Sequence, residues 1–122
     1  MTIDLPWPPK QLFPNFRNSH HWSKSHKAVK AARMLAWGLA AQEVGAGIRN
    51  YPLPASGKLI IQIEATPPKR AGRPADEDAT IGACKAYLDG LASALGIDDG
   101  KFKLAELRWH PKRGDGAIRI TF

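Results

Sequence analysis

Several features that would define a class of protein are scarce or missing in this sequence. A single cysteine, Cys84, excludes an internal disulfide and a zinc site with several cysteine ligands. No apolar run is long enough for a membrane-spanning helix. The opening residues, MTIDLPWPP, have neither the basic start nor the apolar core of a signal peptide. These absences favour a cytoplasmic protein that does not contact a membrane.

Acidic residues are also few, eleven against eighteen Lys and Arg, and the net charge is +7. Residues 76–99 nevertheless contain six of the eleven and sum to −5, whereas residues 1–75 sum to +8 and residues 100–122 to +4. A strongly basic chain favours nucleic acid as a partner. We call residues 74–101, PADEDATIGACKAYLDGLASALGIDDGK, the acidic segment. An acidic segment in a basic protein predicts that the basic parts hold a polyanion and that the acidic segment holds a cation acting on it.

The 122 residues predict one domain spanning residues 1–122. Apolar periodicity predicts an α+β fold in which a small mixed sheet carries two helices, in the order β-α-β-α-β-β. The alternation changes phase near Ala105 and Glu106, which predicts a bulge or a strand covered on both faces. The predicted elements are strand Thr2–Trp7, helix Ser25–Val44, strand Lys58–Thr66, helix Ile81–Leu95, strand Phe102–Trp109 and strand Ala117–Phe122.

Basic and aromatic side chains alternate through residues 10–27, which we expect to be irregular. This pattern suits phosphate contact combined with stacking on a base or sugar. His20, His21 and His26 could instead bind a metal, but no cysteine or carboxylate lies near them in sequence, so surface histidines are the favoured interpretation. The residues expected to hold the DNA backbone are Arg17, Lys24, Lys27, Lys69, Arg70, Arg73 and Lys101.

On a helical wheel, Asp78, Gly82, Lys85 and Asp89 fall on one face of the second predicted helix. Clustered carboxylates are the hard oxygen ligands that bind Mg²⁺. Mg²⁺ beside a phosphodiester polarises a phosphoryl oxygen and activates water, and Lys85 could stabilise the charge that develops on the phosphate.

Simpler interpretations exist for each acidic residue. Acidic residues at a helix start cap the helix and interact favourably with its dipole, Asp98 and Asp99 suit a turn, and Lys85 and Asp89 could form a surface ion pair. The two acidic ends of the second helix are also separated by roughly 20 Å at 1.5 Å per residue. Only tertiary packing or a partner subunit could bring these ends together.

As a set, these motifs resemble the RusA family of Holliday-junction resolvases, small endonucleases common in prophages. The opening LPWPP resembles the first strand of that family, and Asp76-Glu77-Asp78 resembles its Asp-x-Asp-Asn motif. Lys85-x-x-x-Asp89-Gly90-Leu91 is similar to its Lys-x-x-x-Asp-Ala/Gly-Leu segment, and Gly96-Ile97-Asp98-Asp99 to its Asp-Asp turn. Two departures are Ala79, where the family has Asn, and a longer spacing from Asp78 to Lys85.

The resemblance implies a homodimer that binds branched DNA and nicks four-way junctions symmetrically in recombination and repair. It implies Mg²⁺ as cofactor, for which Mn²⁺ can substitute. Asp76, Asp78 and Asp99 would be essential metal ligands with Asp98 beside them, Lys85 would be catalytic and Asp89 would support it. Folding and dimerisation would then unite the two acidic ends.

Two other functions remain open. One is a DNA-binding dimer of the same fold with weak or no cleavage, for which Ala79 is the main support. The other is a structural or regulatory protein whose acidic segment docks a basic partner, and which has no affinity for DNA.

Overall fold

The architecture is an α+β fold, as predicted, seen in a computed structural model that describes residues 1–45, 50–71 and 76–122. Short 3-10 turns lie at Lys10–Leu12 and Asp99–Lys101. The remaining elements are β1 (Thr2–Pro6), α1 (Pro14–Ser19), α2 (Ser23–Val44), β2 (Leu59–Thr66), α3 (Glu77–Ala83), α4 (Lys85–Leu95), β3 (Phe102–Leu104), β4 (Arg108–Trp109) and β5 (Ala117–Thr121).

The strands form one mixed sheet in the order β1-β5-β2-β3, with β4 also paired to β2. β5 lies between β1 and β2 and is antiparallel to both, whereas β3 and β4 run parallel to β2. The register aligns Ile3, Ile120 and Ile63 across three strands. These three isoleucines are buried on one face of the sheet. Asp4 and Arg119 form an exposed ion pair on the other face. The sheet therefore has one apolar and one polar side.

α2 and α4 pack closely against each other, and a glycine makes this approach possible. A Cβ atom on Gly90 would lie 2.2 Å from the carbonyl oxygen of Arg33 and 3.0 Å from the backbone nitrogen of Trp37. Only a residue without a side chain fits there, which explains a glycine inside a helix despite its low helix propensity. α4 is consequently buried on most sides, and the hydroxyl of Tyr87 donates a 2.9 Å hydrogen bond to the carbonyl oxygen of Pro6.

The structure has four α-helices in its described parts, where two were predicted. The second predicted helix begins at Glu77 rather than Ile81 and is divided at Cys84 into α3 and α4. Residues 10–27 were expected to be irregular, but they contain α1 and the start of α2. The short α1 has no apolar period of its own. It begins at Pro14, which contacts Gly82 of α3, so tertiary packing determines it.

The predicted strand over Phe102–Trp109 is interrupted at residues 105–107, where the alternation changes phase. Backbone hydrogen bonds do not stop there, since the amide of Ala105 donates to the carbonyl oxygen of Ile61 at 2.9 Å. The side chain of Gln62 fills the gap by donating to the carbonyl oxygen of Glu106 at 2.8 Å. β3 and β4 are thus two parts of one sheet edge. Within the described ranges, no helix combines the length and the apolar character needed to cross a membrane.

Candidate active site

Lys85 lies between two carboxylates that belong to separate sequence motifs. Its Nζ is 3.7 Å from Oδ1 of Asp89, one helical turn along α4, and 3.6 Å from Oδ2 of Asp99, in the turn after α4. Asp89 is also 3.5 Å from a guanidinium nitrogen of Arg33 on α2. We call Arg33, Lys85, Asp89 and Asp99 the Lys85 cluster. The four side chains line one cavity of about 530 Å³ together with Ala92 and Ser93.

Three elements build the Lys85 cluster, and the backbone fixes where they meet. Lys85 and Asp89 share a face of α4 because residues four apart are neighbours on a helix. The close approach at Gly90 brings Arg33 of α2 against Asp89. Gly96 ends α4 in the left-handed conformation, with a φ of 66°, and the following turn brings Asp99 back toward Lys85.

The charges of the Lys85 cluster balance, two cations against two carboxylates. Its side chains are partly exposed, from 24% for Asp89 to 62% for Lys85. Ion pairs at this exposure contribute little to stability, up to about 1 kcal/mol. The Lys85 cluster is a candidate site because it holds a lysine beside two carboxylates at a surface cavity.

The other acidic end lies at the start of α3, and one of its carboxylates caps the helix. Oδ1 of Asp76 accepts a hydrogen bond from the backbone amide of Ala79 at 2.6 Å, as a helix N-cap does. Asp78 lies exposed in the first turn, where a negative charge interacts favourably with the helix dipole. Oε1 of Glu77 accepts from the amide of Leu107 at 3.4 Å, which joins α3 to the sheet edge.

Asp98 plays a similar capping role in the turn after α4. Its Oδ1 accepts from the amide of Gly100 at 3.1 Å. This hydrogen bond, followed by one with the side chain of Asp99, lowers the pKa of Asp98 below its ordinary value, so the carboxylate stays ionised at neutral pH. Lys101 and Lys58 add to the same effect, and Nζ of Lys58 holds the turn by donating to the carbonyl oxygen of Gly100 at 2.7 Å.

The four aspartates expected to hold Mg²⁺ have suitable chemistry, and they occupy two places in the fold, the start of α3 and the turn after α4. Among the residues that the structure describes, no group of three or more His, Cys, Asp or Glu side chains could hold a metal ion. Asp99 is paired with Lys85, whereas Asp76 borders a different cavity with Trp109 and His110. The fold therefore joins Lys85, Asp89 and Asp99 in one set of ion pairs, and Asp76 and Asp78 lie at the start of α3.

The basic residues expected to hold DNA are exposed wherever they are described. Arg70 forms a surface ion pair with Asp115 at 3.3 Å, so part of its charge is already neutralised. Arg73 lies outside the described residues. The histidines make local contacts, as the surface interpretation expects: His20 stacks on Phe16 at 3.8 Å. The residues of this expected DNA-binding set that the structure describes, all of them exposed, are Arg17, Lys24, Lys27, Lys69, Arg70 and Lys101.

Sequence reasoning missed Arg33, which is not among the candidate residues named from the sequence. No local pattern distinguishes Arg33 from Lys27 or Lys30 on the same helix. The available signal was Gly90, because a glycine inside an apolar helix indicates a close approach by another backbone. That signal predicts a crossing helix near Asp89, but it does not identify which residue of that helix arrives there.

Comparison with known proteins gives one informative relative. A protein of Xylella fastidiosa (strain Temecula1), described as an uncharacterized protein, is 40% identical over 120 residues, which is 98% of this chain and 74% of that protein. The chain belongs to the same protein family as that relative. No family model matches the chain. Functional conclusions therefore depend on the site itself.

Proposed function

We propose that this protein is a Mg²⁺-dependent, structure-selective DNA endonuclease of the RusA type that nicks four-way junctions as a homodimer. The observation that carries the proposal is the position of Lys85 within 4 Å of both Asp89 and Asp99. These residues come from two motifs that separately resemble the RusA pattern. A lysine held between carboxylates at a surface cavity is available to a phosphate group.

Lys85 would bind a non-bridging oxygen of the scissile phosphate and stabilise the negative charge that develops there. Asp89 would act as a positioning residue, because its pairs with Lys85 and Arg33 hold the ammonium at the edge of the cavity. Arg33 would keep Asp89 in place when Lys85 turns toward DNA. The exposed basic residues Arg17 of α1 and Lys24 and Lys27 of α2 would hold the backbone on either side.

Metal binding is the part of the proposal that the contacts within one chain do not carry. Asp76, Asp78, Asp98 and Asp99 provide carboxylate oxygens of the type that Mg²⁺ prefers. These carboxylates come from the start of α3 and from the turn after α4, and a second subunit, or the bound DNA, would complete the donor set. Bound Mg²⁺ would supply a polarised phosphoryl oxygen and an activated water.

The test is incubation of the purified protein with a labelled synthetic four-way junction, with and without Mg²⁺, beside a duplex of the same sequence. We expect paired nicks on the junction only, and only with the metal. A Lys85→Gln variant purified in parallel controls for a contaminating nuclease. No nicking of the junction by the unaltered protein at any Mg²⁺ or Mn²⁺ concentration would overturn the proposed activity.

A DNA-binding dimer without cleavage is the second candidate, and one observation favours it. The backbone amide of Ala79 donates a hydrogen bond to Oδ1 of Asp76, so this carboxylate already has a structural role. Ala79 is also the residue found where the RusA pattern has Asn. This candidate predicts binding of the junction that weakens steeply with salt, by about 0.9 in log affinity per log unit of salt for each phosphate neutralised. Binding without metal-dependent nicking in the same assay would favour it.

A further inference from the structure

A second cavity, of about 360 Å³, borders Lys85 on a side that the other three residues of the Lys85 cluster do not line. It is lined by Arg17 and Asn18 of α1, Trp22 before α2, Gly82 of α3 and Lys85 of α4, with three further residues. Lys85 is the residue that this cavity shares with the cavity of Asp89 and Asp99. No carboxylate from the described residues lines it. Its polar side chains are therefore two cations, an amide and the hydroxyl of Ser25, in contrast to the balanced charges of the Lys85 cluster.

Trp22 gives the cavity an exposed aromatic surface. Its side chain is among the most exposed large apolar groups of the described chain, at 66%. Neighbouring rings nevertheless hold it: His26 meets it edge-on at 5.5 Å, and His21 lies 5.4 Å away. The hydroxyl of Ser25 donates to the carbonyl oxygen of Trp22 at 3.2 Å, which fixes the backbone. The indole of Trp22 is therefore oriented, and its exposed surface is accessible to a ligand in the cavity.

Gly82 determines that the cavity stands beside Lys85. A Cβ atom on Gly82 would lie 2.9 Å from Cγ of Pro14, so the glycine allows α1 to rest directly on α3. That contact carries Arg17 and Asn18 of α1 to the edge of α4. The two ends of the cavity are thereby set: cations at Arg17 and Lys85, and an indole at Trp22.

We propose that this cavity binds one unpaired nucleotide of DNA next to the scissile phosphate. The base stacks on the indole of Trp22, the amide of Asn18 hydrogen-bonds the base edge, and Arg17 and Lys85 contact the flanking phosphates. A base within an intact duplex is already stacked on both faces and cannot reach the indole. The cavity thus selects DNA in which a nucleotide is free to leave the helix, and this selection rests on the proposed function.

The binding test omits metal and compares two labelled DNAs at fixed salt: an intact duplex and the same duplex with a short gap of unpaired thymidines. The unaltered protein should prefer the gapped DNA. Trp22→Ala should lose about tenfold in affinity for the gapped DNA and little for the duplex. Trp22→Phe should recover most of the loss, because phenylalanine also stacks. Trp37→Ala, which removes another exposed tryptophan outside the cavity, should behave as the unaltered protein.

Far-UV circular dichroism of each variant verifies the fold. If Trp22→Ala binds the gapped DNA as tightly as the unaltered protein, or if Trp22→Phe restores nothing, the stacking role is wrong. Junction nicking by the unaltered protein is measured separately, so the two proposals fail separately. If the unaltered protein nicks junctions but the Trp22 variants bind gapped DNA normally, only the nucleotide-binding cavity is wrong. If the preference for gapped DNA depends on Trp22 but junctions are not nicked, only the endonuclease activity is wrong. An absence of DNA binding overturns both.

Discussion

The ammonium of Lys85, in the first turn of α4, lies 3.6 Å from the carboxylate of Asp99, beyond the other end of that helix. The 3-10 turn that contains Asp99 folds back so that its side chain reaches the helix flank. The same lysine contacts Asp89 midway. A single side chain therefore links the first turn of α4, the middle of α4 and the turn that follows it, and it does so at the surface.

We predict that Lys85→Gln reduces junction nicking about 100-fold or more, as loss of one group that stabilises transition-state charge does. The free energy of unfolding should change by less than about 1 kcal/mol, because the ion pairs are exposed. Lys103→Gln, which removes an exposed lysine on β3, is the matched control and should nick normally. Equal nicking by both variants would show that Lys85 is only a surface residue.

Asp78→Asn should abolish nicking and leave junction binding intact or tighter. Asn is nearly isosteric with Asp but lacks the charge that holds Mg²⁺. Asp76, rather than Asp78, caps α3, so the substitution does not remove the cap. Glu77→Gln is a matched control, since it removes the neighbouring charge and still accepts a hydrogen bond from Leu107. Full nicking by Asp78→Asn on a junction gel at saturating Mg²⁺ would eliminate Asp78 as a ligand.

Gly90→Ala should lower the free energy of unfolding by about 2–3 kcal/mol, because the new methyl group collides with the backbone of α2 and overpacks the helix contact. Gly38→Ala is the opposite case. Nothing lies within 4 Å of a Cβ atom there, so the better helix former should stabilise the protein by about 0.5–1 kcal/mol. Urea denaturation measures both. Equal stabilities of the two variants would contradict the close helix approach.

Cys84 should report on unfolding. Burial raises the pKa of its thiol from 9.0 to about 12, so the reactive thiolate is suppressed in the folded protein at pH 8. Iodoacetamide should modify Cys84 slowly in buffer and rapidly in urea. The pKa of the Cys84 thiol is higher in the folded than in the unfolded protein. The contribution of the buried neutral thiol to the free energy of unfolding is therefore complete below pH 9.0 and is lost as the pH rises toward about 12. Rapid alkylation of the native protein would show that the thiol is accessible.

Sedimentation at micromolar concentration should give the mass of two chains. The expected metal ligands come from the start of α3 and from the turn after α4, and a junction with two-fold symmetry requires paired cuts. A monomer that nicks junctions would contradict the role given to the second subunit.

The strands β1, β2 and β5 and the helix α4 were largely predictable because their apolar residues recur at the period of their buried positions. The end of the second predicted helix at Leu95 was correct, and the change of phase near Ala105 marked the interruption between β3 and β4. The short α1 was not predictable, because it exists through contact with α3 and has no buried residue of its own.

For the site, the spacing of Lys85 and Asp89 predicted their contact, since helix geometry is local. The arrival of Asp99 and Arg33 depends on a turn and on a helix crossing, which no single segment encodes. The metal-binding roles of Asp76, Asp78, Asp98 and Asp99 stay predictions.

The position of β5 affects how the chain can fold. This strand is last in the sequence, yet it lies between β1 and β2 and supplies hydrogen bonds to both. The sheet therefore cannot close until the two ends of the chain have met, and the entropy of that long loop must be overcome before any gain in strand pairing. The helix pair α2–α4 can form earlier from contacts closer in sequence. We expect refolding in which helical circular dichroism recovers first and the burial of Cys84 against alkylation follows only when the central strand is in place.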